Sequence, residues 1–226
     1  MKLKIVITAM LLLFLGGCAY AEPDSMYTVT AIGFDNQENK TVYLQAIDTV
    51  DGEKNGDPTT FLVKGEGKSF KTALEDIKSQ LSKTPSFSHC QLILTTDCVE
   101  GEDFKAMLSL CREAGLSLRT AISCTEDINK ILENKKITSG TDILALIKQN
   151  SRYFGYGGHT AVFEIETAIL AAGGDFALPR LTLSNENLKV ECLLRYEDTV
   201  PVEMLSEKES IAYAKDKNTF GGEKID

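Results

Sequence analysis

Apolar positions along this chain switch between two spacings, and the switches mark its elements. Tyr27–Asp35 and Thr41–Asp48 are β-branched and aromatic runs ending in turn formers, with a short polar stretch, 36–40, between them. The pair predicts an antiparallel hairpin, and Thr59–Lys64 a third strand. The spacing then changes. Phe70, Ala73, Leu74, Ile77 and Leu81 recur at three and four residues, which predicts an amphipathic helix over 70–81 with Ser69 as its N-cap. His89–Thr96 reads as a buried strand. Phe104, Met107, Leu108 and Cys111 predict a helix over 102–114 stopped by Gly115. Leu116–Cys124 reads as a strand, and Thr125 as the cap of a helix over 126–132.

The second half repeats the alternation less regularly. Helices are predicted over 142–150 and 160–172, on either side of a glycine-rich aromatic stretch, 152–158. Strands are predicted over Phe176–Leu183, Leu188–Tyr196 and Val200–Met204, and Ser206 caps a last helix over 207–214. Early hairpin followed by strand–helix alternation implies an α+β fold, with a mixed sheet whose first pair is antiparallel and whose later pairs are partly parallel. The polar break Asn134-Lys135-Lys136 divides the expected organisation. Residues 27–137 form a mixed-sheet N-terminal domain, and residues 138–226 a smaller α+β domain.

The start of the chain has neither spacing. Lys2 and Lys4 precede an apolar run from Ile5 to Leu15, too short to span a bilayer, which needs about 20 helical residues. Leu15-Gly16-Gly17-Cys18 follows, with small residues directly before a thiol. Residues 1–17 are therefore expected to be a lipoprotein signal peptide, Cys18 the lipidated first residue of the mature chain, and residues 18–26 a tether. The alternative is an ordinary secretory signal cut at Ala19-Tyr20-Ala21.

Charge narrows the partners. The sequence has 24 basic and 33 acidic residues. Removing residues 1–17 leaves 22 basic residues and a net charge of −11. Such a chain cannot hold phosphate backbones by counterion release, so nucleic acid is excluded as a partner. Anionic headgroups repel it as well, so membrane attachment must come from acyl chains, each buried CH2 contributing about 0.8 kcal/mol.

Catalytic chemistry finds little support. Cys90, Cys98, Cys111, Cys124 and Cys192 are odd in number and irregular in spacing, which argues for mostly free, buried thiols. One bridge among the first four is the alternative. Gly65-Glu66-Gly67-Lys68-Ser69 invites comparison with a phosphate loop, but only one residue separates the glycines, and a tight turn into a capped helix explains it. His89 and His159 are the only histidines and lack convergent partners, so no metal site is expected. An activity around His89-Cys90 is the remaining enzymatic reading, with nothing to mark an activated nucleophile. No Gly-x-Ser-x-Gly elbow occurs. Tyr153-Phe154-Gly155-Tyr156-Gly157-Gly158 is expected to fold its aromatics back onto the core, the alternative being an exposed interaction patch.

Several of these segments together carry a resemblance. The lipobox at Cys18, Val29–Asp35, Gly65–Phe70 followed by Ala73-Leu74, Ser88–Leu94, Leu118–Ala121, Phe176–Pro179 and Leu188–Leu205 are similar, in order and spacing, to the Ger(x)C-type lipoproteins, the C subunits of spore nutrient-germinant receptors. The chain departs from the family at Ala19-Tyr20-Ala21, where members carry an aromatic and charged cluster. It also ends at Asp226, where members continue into a large third domain, and is expected to be a shortened member or an incomplete product. The resemblance implies a non-catalytic subunit without cofactor. It implies lipid attachment on the outer face of the cytoplasmic membrane, or the spore inner membrane, beside two multi-pass receptor subunits of the A and B types. A stand-alone extracytoplasmic lipoprotein that captures a small ligand is the other reading.

Overall fold

The computed structural model describes residues 25–37, 39–48, 59–134, 136–137, 139–154, 160–171 and 174–216. They form a ten-stranded sheet. Its strands are β1 (Met26–Asp35), β2 (Lys40–Asp48), β3 (Thr59–Gly67), β4 (Thr84–Ser86), β5 (Leu92–Thr96), β6 (Ala121–Thr125), β7 (Thr160–Ala161), β8 (Phe176–Ser184), β9 (Asn187–Glu197) and β10 (Val200–Leu205). The order across the sheet is β10-β9-β8-β6-β5-β1-β2-β3, with β4 paired to β1 and β7 to β6. The centre, β1-β5-β6-β8, is parallel, and antiparallel hairpins close both sides. This is the expected mixed α+β sheet. It is continuous across residue 137: Cys124 and Thr125 of β6 pair with Arg180 and Leu181 of β8.

Among the described residues, six helices cover the sheet: α1 (Phe70–Gln80), α2 (Gly101–Glu113), α3 (Ile128–Leu132), α4 (Gly140–Phe154), α5 (Val162–Leu170) and α6 (Glu207–Asp216). On one face α1, α2 and α5 bury Phe70, Ile77, Phe104, Met107 and Ile165 against Ile32, Phe34, Leu44, Ile93, Ile122 and Leu178. On the other, α3 and α4 bury Ile128, Ile131, Ile143 and Ile147 against Ala31, Leu92, Leu94 and Ala121. Strand alternation sends neighbouring residues to opposite faces, which is why Ile93 belongs to one cluster and Leu92 and Leu94 to the other. Beside β9 and β10, α6 packs Tyr213 on Ala177, Leu193 and Leu205.

Local chemistry moves several expected boundaries. Leu116 does not begin a strand. Gly115, at φ +80°, donates to the Arg112 carbonyl at 3.0 Å and Leu116 to the Cys111 carbonyl at 3.0 Å, a Schellman cap that takes Leu116 into the helix end. Residues 87–90 form a turn, with Cys90 N–H donating to the Phe87 carbonyl at 3.0 Å, so the strand begins later than expected, at Leu92. The cap of α3 is Asp127, whose carboxylate accepts from Lys130 N–H at 3.0 Å, because Thr125 stays in β6. Thr160 and Ala161 pair with Ile122 and Ala121 before the helix starts. Both late hairpins turn on two non-glycine residues with positive φ, Asn185-Glu186 (51° and 62°) and Asp198-Thr199 (46° and 70°). Such geometry matches the strand twist.

Candidate functional site

Parallel strands place their carboxyl ends at one edge, and open α/β sheets bind ligands in the crevice just beyond that edge. Here β1 ends at Asp35, β5 runs into Asp97, and β6 runs into Glu126 and Asp127. The resulting crevice, about 510 Å³, is lined by Asp35, Tyr43, Thr125, Asp127, Lys130 and Thr182 among others.

The charges beside it and in it are mostly mutual. Arg180, on β8, contacts Asp97 at 3.2 Å, Glu191 at 2.5 Å and Glu126 at 3.7 Å, with 11% of its side chain exposed. Thr96 donates to Asp35 at 2.9 Å. Burial opposes the charge on Asp127, but the Lys130 ammonium and backbone N–H outweigh it and hold the carboxyl below its ordinary value. Burial, then Asp35, pushes the Tyr43 phenol up. Two buried polar atoms among the described residues make no hydrogen bond, Asp97 Oδ1 and Tyr196 OH. The Tyr196 ring is fully buried, stacked on Phe176 at 4.9 Å. Such a crevice can accept hydrogen bonds from amines or hydroxyls, but it sets no base against a nucleophile. Among the described residues no three His, Cys, Asp or Glu side chains converge as metal ligands.

The thiols are separate from it in kind. Cys90, Cys98, Cys111, Cys124 and Cys192 are all free, and only Cys98 is exposed. Burial pushes Cys90 up to about 12, and Cys111 and Cys124 well above the ordinary thiol value. His89 lies in the exposed turn before β5, at the opposite end of the sheet from the crevice. The glycines of Gly65-Glu66-Gly67-Lys68-Ser69 do not form a turn. They end β3 against α1, where a Cβ would come within 2.3 Å of the Ala73 carbonyl oxygen (at Gly65) or Thr72 Oγ1 (at Gly67). Ser69 caps α1 as expected, accepting from Thr72 N–H at 3.2 Å. Cys18 and His159 lie outside the described residues, as does most of the 152–158 stretch.

Along the chain the acidic residues are scattered. Asp35, Asp97, Glu126 and Glu191 meet only because the strand order brings their strands side by side. The available signal was that three predicted strands each run into a carboxylate.

No curated protein and no solved structure matches the chain. A family model does: residues 19–183 match the spore germination protein N-terminal domain, and the chain belongs to that family.

Proposed function

We propose that this protein is a non-catalytic, lipid-anchored subunit of a spore germinant receptor, attached through Cys18 to the outer face of the membrane and working beside multi-pass A- and B-type subunits. Family membership gives the role in spore germination, and the match across residues 19–183 is the observation that carries the reading. The match begins at the residue after Cys18, so it lies on the mature side of the expected cleavage. The self-neutralised charges in and beside the crevice, without a nucleophile and base in register, fit a binding or scaffolding role.

The test is affinity purification of the protein from sporulating cells followed by mass spectrometry. Multi-pass subunits should be recovered with it, and Cys18→Ala should release it from the membrane fraction. Recovery of the protein alone, with germination unaffected by its deletion, would overturn the receptor reading. A second reading, capture of a small polar ligand without partners, draws on the 510 Å³ crevice. A thermal shift of the isolated protein with amino acids or sugars would support it.

A further inference from the structure

The two ends of the parallel strands differ in how densely carboxylates gather, although those at the exit end are largely paired with Arg180, Lys40 and Lys130. At the exit end stand Asp35, Asp97, Glu100, Asp103, Glu126 and Asp127. At the entry end, the stretch from Ile77 to Thr96 contains no Asp or Glu and supplies Lys83, and the stretch from Ala114 to Thr125 likewise has none and supplies Arg119. Among the described residues, carboxylates near this end are engaged: Asp48 by Lys83 at 2.7 Å, Glu113 by Lys71 at 3.6 Å, Glu166 by Arg112 at 3.4 Å, Glu164 by Ala161 N–H at 2.9 Å and Asp142 by Ser139 N–H at 3.0 Å.

Large apolar side chains are exposed at the same end. Leu118 is 49% and Phe163 47% exposed. They are neighbours, since Phe163 N–H donates to the Leu118 carbonyl at 3.0 Å. Phe163 points away from the core that Val162 and Ile165 enter, and Arg119 is exposed beside Leu118.

The chain also enters here. Met26, which pairs with Thr84, begins β1 at this end. Eight peptide steps separate it from Cys18. Fully extended, they reach about 26–29 Å. We propose that this entry end rests in the headgroup layer of an anionic lipid bilayer, with Leu118 and Phe163 inserted, Arg119 at the phosphates, and the acidic exit end turned away. The inference rests on the anchoring of Cys18 proposed above. Leucine, phenylalanine and arginine together are the composition of an interfacial contact. The orientation also resolves the charge problem. The exit-end carboxylates stand a five-residue strand further out, about 16 Å, beyond the ~8–10 Å over which salt screens them.

The sequence contains no tryptophan, so a single one is a clean depth probe. Leu118→Trp, Phe163→Trp and, at the far end, Glu102→Trp are placed singly in the full lipidated chain. Each is reconstituted in protein-free vesicles of phosphatidylglycerol and phosphatidylethanolamine with brominated acyl chains. Emission of the first two should shift to the blue and be quenched, while the Glu102→Trp variant should emit as in water. Aqueous emission from all three, or equal quenching of all three, overturns the orientation. The intact mass of the same preparations separates the two ideas. A diacylglycerol adduct with aqueous probes overturns the orientation and leaves the anchor standing, and a missing adduct overturns both. A shift that needs added membrane proteins rather than lipid alone reassigns the surface to a protein partner and overturns the lipid contact.

Discussion

Against α1, α2 and α5 the sheet presents rings, with Phe34 on Phe70 at 5.2 Å and Phe104 on Phe176 and Tyr196 at 5.6 Å each. Against α3 and α4 it presents small residues and a polar tie. A Cβ on Gly33 would lie 2.7 Å from Ile128 Cγ2, and one on Gly140 would lie 2.5 Å from the Thr30 carbonyl oxygen. Thr30 Oγ1 donates to Gln45 Oε1 at 3.2 Å and accepts from Gly140 N–H at 3.4 Å, while Gln45 Nε2 donates to the Leu132 carbonyl at 3.5 Å. One face is held by the volume it buries, the other by how closely backbone can approach and by satisfied polar groups within reach of both helices. The first tolerates apolar exchange of similar volume; the second does not tolerate added bulk.

Four measurements would break or sharpen that contrast. Phe104→Ala should have the largest effect, about 3–5 kcal/mol lost in denaturant unfolding, since it empties the ring cluster joining α2 to β8 and β9. A loss below 1 kcal/mol would mean that Phe176 and Tyr196 collapse into the space. Gly140→Ala should cost less, about 1–3 kcal/mol, by forcing α4 off β1, and equal stability to the parent would refute the close-approach account. Asp127→Ala removes the α3 cap and should cost about 0.5–2 kcal/mol at pH 7. Because the carboxyl is held below its ordinary value when folded, its contribution is present above the usual carboxylate range and is lost as pH falls through the folded value. The variant and the parent should therefore converge in acid. The smallest perturbation is chemical. A thiol reagent at pH 8 should modify Cys98 in the folded protein, while Cys90, Cys111 and Cys124 react only on unfolding. Fast labelling of Cys111 would show that α2 opens from the ring face.

Much of the fold is legible in side-chain periodicity. The β-branched run through Val29, Thr30 and Ile32, the three-four spacing through Phe70, Leu74 and Ile77, and the Ser69 cap all depend on neighbours within a few residues. Leu116 misleads because a Schellman cap and a strand start both place a leucine after glycine, and only the hydrogen bond to Cys111 distinguishes them. β7 has two residues and no period to read. Gly65 and Gly67 are visible as glycines, but the reason for them, the backbone of α1, is a tertiary fact. The charged network beside the crevice is least legible. Asp97 and Arg180 are separated by most of the alternating region and meet through the β5-β6-β8 order, which no local pattern encodes.

β1 is bonded along both sides, to β2 on one and to β4 and β5 on the other. A pull arriving at Ser25 would therefore run lengthwise along an interior strand. It would load two ladders in shear at once, whereas a terminal edge strand such as β10 would peel away one bond at a time. A body tethered by its middle strand can be tugged, bent and jostled at its attachment point without its sheet being unzipped from there.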